Sequence, residues 1–364
     1  MSEPRPPRMS RAHLRRVTTV IAISQLVLAL VTGTTVYALY QHLNGKIRVG
    51  DAIVHLAKRK QPLLPTSAMN ILVMGEDTRN CAGCSIDNQT GENGSDTTIL
   101  VHIANGRKSA YAISIPRDVL VPQVPCTQKA GTVYDGNRVQ WNLAYSLNGP
   151  DCTAQQLEKA TGIHVDDYVS VNFGGFKSMV DDLGGVQVCL PEAIDDNFAH
   201  IHLPAGTQTL QGDQALSYVR ERHGITGGSD LPRTRRQQAF IASMLKKVKS
   251  AGTLTRPDRL YRFANDLVGS ITPSPDLDSV SALVKLASSV RGANLDHIKF
   301  VTAPTTDFPT SSPDWGRLQF TPDAADLWRR VRNDQPLGPF AKGAISGHHL
   351  NGGKSTAAAN GLCA

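Results

Sequence analysis

The chain has 364 residues, of which 40% are hydrophobic and 19% are charged. This is an ordinary globular composition, and it excludes a chain too polar to bury a core of its own. The formal net charge of +7 indicates an anionic partner, but it does not choose among nucleic acid, lipid head groups and cell-wall polymers.

A stretch near the N-terminus is predicted to span a membrane. Residues 17–40 are 24 positions without a charged side chain, and a helix needs about 20 mostly apolar residues to cross a bilayer. No small-residue cleavage site follows, which favours an uncleaved anchor over a cleaved signal. Basic residues precede the span at Arg5, Arg8, Arg11, Arg15 and Arg16. By the positive-inside rule we expect a single-pass type II protein of the cell membrane, with residue 41 onward extracellular.

Beyond the span, strands and helices alternate. Apolar runs and turn residues predict strands at 70–75, 97–103, 109–115, 168–171 and 298–301. Asn105-Gly106 predicts a hairpin turn. Helices are predicted at 141–147, 153–161 (with Thr153 as N-cap), 173–183, 211–221 and 233–249, and twice within 256–290. The alternation indicates an α/β fold, a three-layer α/β/α domain around a mixed central sheet.

The chain is predicted to divide into five parts. These are a cytoplasmic tail (1–16), a transmembrane helix (17–40), an extracellular stalk (41–68), a catalytic domain (69–337) and a flexible tail rich in Gly, Ser, Ala and Asn (338–364).

Two short clusters between residues 218 and 238 are rich in arginine: Arg220, Arg222, Arg233, Arg235 and Arg236. Guanidinium groups carry a fixed charge and match phosphate oxygens in pairs. Cations so close together repel one another unless an anion lies among them. Outside the membrane, the pyrophosphate of a lipid-linked precursor is a better candidate for that anion than nucleic acid.

Acidic and basic side chains also lie at the predicted strand ends. Asp77 and Arg79 end the first strand, Asp96 precedes the second, and Arg117-Asp118 follows the third. Open α/β sheets bind ligands at strand ends. Two carboxylates and several arginines suit metal-assisted phosphoryl transfer, with Asp77 and Asp96 as Mg²⁺ ligands. A single Asp or Arg of this kind would more often cap a loop or form a surface ion pair, but the whole set at successive strand ends favours a site.

Several motifs, in order, resemble the successive blocks of the LytR–CpsA–Psr family over roughly residues 69 to 250. They are Asn70-Ile-Leu-Val-Met-Gly-Glu-Asp-Thr-Arg79, Ser95-Asp-Thr97, Ser114-Ile-Pro-Arg-Asp118, Asn142-Leu-Ala-Tyr145, Tyr218-Val-Arg-Glu-Arg222, Ser229-Asp-Leu-Pro-Arg233 and Arg236-Gln-Gln238. Gly184-Gly-Val186 followed by Cys189-Leu-Pro191 is similar to the cysteine-containing variant of the family.

The resemblance implies a membrane-anchored, extracytoplasmic phosphotransferase. Such an enzyme moves an anionic glycopolymer from a polyprenyl-pyrophosphate carrier onto peptidoglycan. It uses Mg²⁺, with Mn²⁺ as a substitute. Its partners include membrane lipid but not nucleic acid. By motif matching, Asp77 and Asp96 bind the metal. The catalytic set is Asp77, Asp96, Arg117, Arg220 and Arg222. The pyrophosphate-binding set is Arg79, Arg117, Arg220, Arg222, Arg233 and Gln237.

Two residues depart from the family pattern. Gly94 and Gln140 stand where many members carry basic residues, so affinity or donor choice is expected to differ. The alternatives are a polyprenyl-pyrophosphate pyrophosphatase without polymer transfer, a membrane-bound transcriptional regulator and a non-catalytic wall-binding module. The general base and the donor polymer stay unassigned.

Six cysteines, all after the span, suit disulfides in an oxidising compartment, and six cysteines allow fifteen pairings. The resemblance to cysteine-bearing relatives implies a bond between Cys126 and Cys152. Cys81 with Cys84, and Cys189 with Cys363, would complete the set.

Overall fold

A computed structural model describes most of the chain after the first ten residues. The described residues are 11–59, 67–77, 94–124, 126, 138–190, 192–196, 201–221, 230–250, 256–290, 293 and 297–346.

The N-terminal unit, residues 1–46, contains one long helix, α1 (Arg11–Asn44). Its stretch Arg15–Asn44 has a mean hydropathy of 1.8 and is long and apolar enough to cross a membrane. The helix extends beyond the predicted span, 17–40, at both ends.

The second unit, residues 47–364, contains the other elements. Its strands are β1 (Met69–Asp77), β2 (Gly94–Ile103), β3 (Ala110–Ile115), β4 (Leu120–Pro122), β5 (Arg138–Gln140), β6 (Asp167–Asn172), β7 (Val186–Leu190), β8 (Ile194–Asp196), β9 (Ile201–Leu203), β10 (Gly206–Leu210), β11 (Ile271–Pro273), β12 (Lys299–Thr302), β13 (Thr305–Asp307) and β14 (Leu318–Phe320). Its helices are α2 (Leu143–Asn148), α3 (Pro150–Thr161), α4 (Phe173–Asp182), α5 (Gly212–Arg220), α6 (Asp230–Ser250), α7 (Pro257–Ser270), α8 (Val280–Val290) and α9 (Pro322–Arg332).

The central sheet is mixed, as predicted, with six strands in the order β11-β6-β1-β2-β3-β12. β1 pairs antiparallel with β2 and parallel with β6, while β3 pairs antiparallel with β2 and parallel with β12. The antiparallel β2–β3 hairpin turns at Asn105–Arg107, where Gly106 has a φ of 74°. Such a positive φ is favourable for glycine, so the predicted Asn-Gly turn is confirmed.

Both faces of the sheet are covered by helices because its strands are apolar on both faces. Successive side chains of a strand point to opposite faces, so Leu72 and Met74 join a core formed with α2, α3 and α9. Ile71 and Val73, whose side chains point to the opposite face, contact a second core with α6 and α8. The result is the predicted three-layer α/β/α arrangement. A smaller apolar cluster unites α4, α5 and α6 with the strands from β7 to β10.

Three differences from the sequence-based predictions concern the start of one helix and the packing of two segments. α3 begins at Pro150 after Gly149 rather than at a Thr153 cap, because proline is favourable in the first turn. Residues 338–346, assigned to a flexible tail, include Ile345, which is 2% exposed and hydrogen-bonds the Phe300 backbone in both directions. Part of the predicted stalk also packs on the α/β domain, since the Tyr168 hydroxyl donates to the Asp51 carbonyl at 2.6 Å.

A disulfide joins Cys126 to Cys152, confirming that predicted pair, with 5.4 Å between the Cα atoms. Val124 and Ala144 pack around it in a small buried cluster. Cys189 is also disulfide-bonded, but Cys81, Cys84 and Cys363 lie outside the described residues, so the other two pairings stay predictions.

Replacing Cys126 and Cys152 together by alanine should lower the free energy of unfolding by about 3 kcal/mol. The bond closes a loop with a sequence separation of 26, and a cross-link of that size restricts the unfolded chain by roughly this amount. Urea unfolding of the full chain in detergent measures it. A midpoint equal to that of the wild-type chain would show that the bond adds nothing to stability.

Candidate active site

Two carboxylates lie at one edge of the central sheet. Asp77 ends β1, and Asp96 lies near the start of β2, its antiparallel partner. The register pairs Asp77 with Gly94 and Gly75 with Thr97, with a bulge between Gly75 and Glu76. Arg117 follows β3 at the same edge, because Ile115 pairs with Thr98. The strand ends therefore gather the predicted acidic and basic residues.

Within the described residues, Asp96 contacts two arginines from different elements. Its Oδ1 accepts a hydrogen bond of 2.6 Å from Arg117 Nη1. Its Oδ2 lies 3.8 Å from Arg233 Nη1, on α6. Arg233 Nη2 also lies 3.4 Å from the Asp96 carbonyl oxygen. Only 1% of the Arg233 side chain is exposed. The surrounding protein therefore holds its positive charge in place next to Asp96.

Asp77 is approached by Arg220, the last residue of α5. Arg220 Nη2 lies 3.5 Å from Asp77 Oδ2. Its guanidinium carbon also lies 4.8 Å from the centre of the Phe173 ring at the start of α4, a distance that suits a cation–π contact. Asp77, Asp96, Arg117 and Arg220 keep 15–21% of their side chains exposed, so the cluster remains open to a ligand.

A buried ion pair that sequence reasoning did not identify joins α5 to α6. Arg236 Nη1 binds Glu221 Oε2, and Arg236 Nη2 donates to the Glu221 carbonyl at 3.1 Å. The Glu221 side chain is 0% exposed and that of Arg236 is 7% exposed. Arg236 also lies over the Tyr218 ring, and burial raises the pKa of Tyr218 to about 12, an effect that Arg236 opposes. Because Glu221 follows Arg220 directly, this pair fixes the end of α5.

The side chains of Gln237 and Gln238 donate hydrogen bonds to neighbouring elements. Gln237 Nε2 donates to the Val219 carbonyl at 3.1 Å, so its side chain supports α5. Gln238 Nε2 donates to Ser114 Oγ at 2.9 Å and to Thr302 Oγ1 at 3.0 Å, which attaches α6 to β3 and β12. A direct pyrophosphate contact by Gln237 stays a prediction.

Asp118 connects Arg117 to two further side chains. Asp118 Oδ2 lies 3.5 Å from Arg117 Nε, so the two side chains form an ion pair. Asp118 Oδ1 also accepts hydrogen bonds from Gln140 Nε2 at 2.8 Å and from Arg317 Nη1 at 3.2 Å. Gln140, one of the two departures from the family pattern, therefore contacts the site through Asp118.

Glu76 lies beside Asp77 in the chain but contacts a different neighbour. Burial raises the pKa of Glu76, and a hydrogen bond with Tyr145 partly opposes the rise. Burial also raises the pKa of Tyr145, whose hydroxyl lies 2.7 Å from Ser170 Oγ. Tyr145 thus links the Asn142-Leu-Ala-Tyr145 motif to the end of β1.

Arg79 and Arg222, both predicted to bind pyrophosphate, lie outside the described residues. Among the described residues, the structure brings Asp77, Asp96, Arg117, Arg220 and Arg233 together. Two carboxylates supply the oxygen ligands that Mg²⁺ prefers, and neighbouring guanidinium groups suit phosphate oxygens. The donor chemistry is compatible with the predicted Mg²⁺, whose presence stays a prediction.

Comparison with known proteins finds similar sequences. A model described as "LytR_cpsA_psr family" matches residues 40–325. The cell wall biosynthesis protein LcpA of Corynebacterium glutamicum is 32% identical over 282 residues, covering 70% of this chain and 53% of LcpA. The polyisoprenyl-teichoic acid–peptidoglycan teichoic acid transferase TagV of Bacillus subtilis is 27% identical over 326 residues, covering 87% of this chain and 77% of TagV. The chain spans about half the length of the first relatives it matches.

A solved structure shares the fold. The LytR-CPS2A-psr family protein YwtF (TagT) with bound octaprenyl pyrophosphate lipid superposes with a TM-score of 0.54 at 21% identity, covering 79% of this chain and 98% of that one. At this identity the likeness shows the fold alone.

Proposed function

The chain belongs to the LytR_cpsA_psr family, and from that premise we propose that it is a membrane-anchored phosphotransferase of cell-wall assembly. Its donor is a glycopolymer linked to a polyprenyl pyrophosphate, and its acceptor is peptidoglycan. The TagV relative is a teichoic acid transferase by name, and the YwtF (TagT) structure holds a prenyl pyrophosphate. The α1 helix anchors the chain, with the α/β domain on the extracellular side.

The observation that supports the proposal is the convergence of Arg117, Arg220 and Arg233 on the two carboxylates at one sheet edge. Arginines that are held by neighbouring side chains are preorganised, so they lose little freedom when an anion arrives. A diphosphate carries the negative charge that such a cluster stabilises. Stabilisation of developing charge by fixed groups is the main catalytic effect in phosphoryl transfer.

In the proposed reaction, a hydroxyl oxygen of peptidoglycan attacks the phosphorus atom that carries the glycan. The bond from that phosphorus to the bridging oxygen breaks, and polyprenyl monophosphate leaves with the electron pair. Arg117 and Arg220 bind the phosphate oxygens and stabilise charge on the leaving group. The hydroxyl also loses a proton, which Asp77 or Asp96 would accept.

Asp77 and Asp96 would hold Mg²⁺ through carboxylate oxygens, and the bound ion would supply further positive charge next to the phosphates. Arg233 orients Asp96 from behind, and the Glu221–Arg236 pair orients Arg220. These three residues therefore position the groups that touch the substrate.

An Arg220→Ala variant tests the proposal. The purified full chain in detergent is given a polyprenyl-pyrophosphate-linked oligosaccharide and peptidoglycan, and glycan bound covalently to peptidoglycan is measured. Wild type should transfer, and Arg220→Ala should lose about 10²-fold in rate, as expected for one charge-stabilising donor.

The matched control is Arg329→Ala, which removes an exposed arginine of α9 paired with Asp326. It should transfer at the wild-type rate. Wild-type release of inorganic phosphate without transfer would favour a pyrophosphatase, and equal activity of the two variants would refute the assigned site.

A further inference from the structure

A second cluster of ligand-type side chains lies far from the diphosphate site. His55, from the segment after α1, meets Glu158 of α3 and His164, which lies between α3 and β6. One donor atom from each residue lies within 4.8 Å of the other two. The cluster is near the N-terminal ends of β1 and β6, whereas Asp77 is at the C-terminal end of β1, so the proposed transfer reaction does not use it.

Two of the three distances between these donor atoms are close to those between the ligands of a small tetrahedral cation. His55 Nδ1 lies 2.9 Å from Glu158 Oε1, and His164 Nδ1 lies 3.4 Å from the same oxygen. Ligands of tetrahedral Zn²⁺, with bonds of about 2.0–2.1 Å, lie about 3.3 Å apart. Two imidazoles and one carboxylate with water in a fourth position are a common Zn²⁺ ligand set.

Glu158 is held in place for this role. Its side chain is 0% exposed, and its Oε2 accepts hydrogen bonds from the backbone N–H groups of Leu56 and Ala57. Its Oε1 accepts from the Val165 N–H at 3.0 Å and from His55 Nδ1. A cation would replace the proton between His55 and Oε1, and it would also replace the contact of His164 Nδ1 with the Ala57 carbonyl at 3.0 Å. The backbone hydrogen bonds to Glu158 from Leu56, Ala57 and Val165 would stay intact.

The Nε2 atom of His164 lies near a carboxylate, at a distance longer than a hydrogen bond. This atom lies 3.6 Å from Asp166 Oδ1, while Asp166 binds Arg59 and the Asn70 N–H. A carboxylate on the far nitrogen orients a ligating imidazole. His55 keeps 42% of its side chain exposed, so solvent and metal can enter.

We propose that His55, Glu158 and His164 bind Zn²⁺, with water as the fourth ligand, and that the ion fastens the segment after α1 to the α/β domain. His55 is more than 100 residues from Glu158 and His164, being 103 positions before Glu158. The metal therefore cross-links distant parts of the chain, and binding stabilises the folded state because the unfolded chain has no such site.

The test uses the full chain in detergent, stripped with a chelator and then titrated with ZnCl₂. Wild type should bind one Zn²⁺ per chain, release protons on binding and unfold at a higher temperature with the metal. His55→Ala and His164→Ala should each weaken binding by more than about tenfold. His55 is partly exposed, so its variant keeps the test valid if His164→Ala fails to fold.

The matched control is His202→Ala, which removes an exposed histidine paired with Asp195 at 2.5 Å. It should bind Zn²⁺ as wild type does. The absorption of a Co²⁺-substituted sample should show a tetrahedral centre that is lost in His55→Ala. Absence of Zn²⁺ binding by wild type, or equal binding by wild type and the His55→Ala variant, would overturn the proposal.

Discussion

An Asp96→Asn variant should lose glycopolymer transfer by about 10³-fold, which corresponds to ~4 kcal/mol in the barrier. Asparagine keeps the shape of the side chain but removes its charge. The change weakens the 2.6 Å contact with Arg117, and it removes one of the two carboxylates proposed to hold Mg²⁺. Steady-state transfer rates with a defined lipid-linked donor measure the effect.

The Asp96→Asn substitution should affect the affinity for the donor differently from the transfer rate. Without divalent cation, Asp96→Asn should bind a prenyl diphosphate at least as tightly as wild type, because one repelling negative charge is gone. Added Mg²⁺ should increase the affinity of wild type and not that of the variant. A merely structural role of Asp96 would instead weaken binding under both conditions.

Asp195→Asn is the matched control, because Asp195 is exposed and pairs with His202 away from the site. It should transfer normally. Asp77→Asn should resemble Asp96→Asn, and the double variant should be little worse than either, since residues that act as one unit are not additive. Transfer by Asp96→Asn within tenfold of wild type would rule out the assigned role.

A Glu221→Ala variant should lower the free energy of unfolding by about 3–5 kcal/mol, the range for breaking a buried ion pair at one partner. Arg236 would keep its charge at 7% exposure without the carboxylate of Glu221. Loss of the Glu221 carboxylate should also reduce the transfer rate. Arg220 directly precedes Glu221, so the position of Arg220 depends on the ion pair between Glu221 and Arg236. Denaturant unfolding and transfer rates on one preparation measure both effects.

A double variant, Glu221→Leu with Arg236→Met, separates stability from function. Removing both charges and filling the space should restore most of the stability. Transfer should stay reduced if the pair positions Arg220. On the same helix, Asp213 pairs with Lys177 at 2.8 Å and is 89% exposed, so Asp213→Ala should cost less than about 1 kcal/mol. Equal losses for Glu221→Ala and Asp213→Ala would contradict the account.

The strands of the site could be predicted because their signals are local. The apolar run before Gly75 and the Asn105-Gly106 turn give β1 and the β2–β3 hairpin directly. The order of motifs indicated the family. In consecutive antiparallel strands, the end of β1, the start of β2 and the end of β3 lie at the same edge of the sheet. Asp77, Asp96 and Arg117 could therefore be assigned to one site before any contact was known.

Contacts between distant segments could not be predicted in the same way. In the sequence, Glu221 and Arg236 are members of two separate charged motifs. Their spacing does not show that the two side chains are buried together as an ion pair. His55 and Glu158 are separated by 103 positions, and the packing of the segment after α1 on α3 brings them together. Gln140 counted as a missing cation, whereas the fold gives it a hydrogen bond with Asp118.

The central claim is that this site cleaves a diphosphate bridge and transfers the glycan with its phosphate. The direct measurement uses two donors, each with one phosphorus atom labelled, incubated with the full chain and peptidoglycan. The glycan-side label should become covalently bound to peptidoglycan, and the lipid-side label should leave as polyprenyl monophosphate. Recovery of the glycan-side label as a soluble glycan phosphate or as inorganic phosphate, with none on peptidoglycan, would contradict the account.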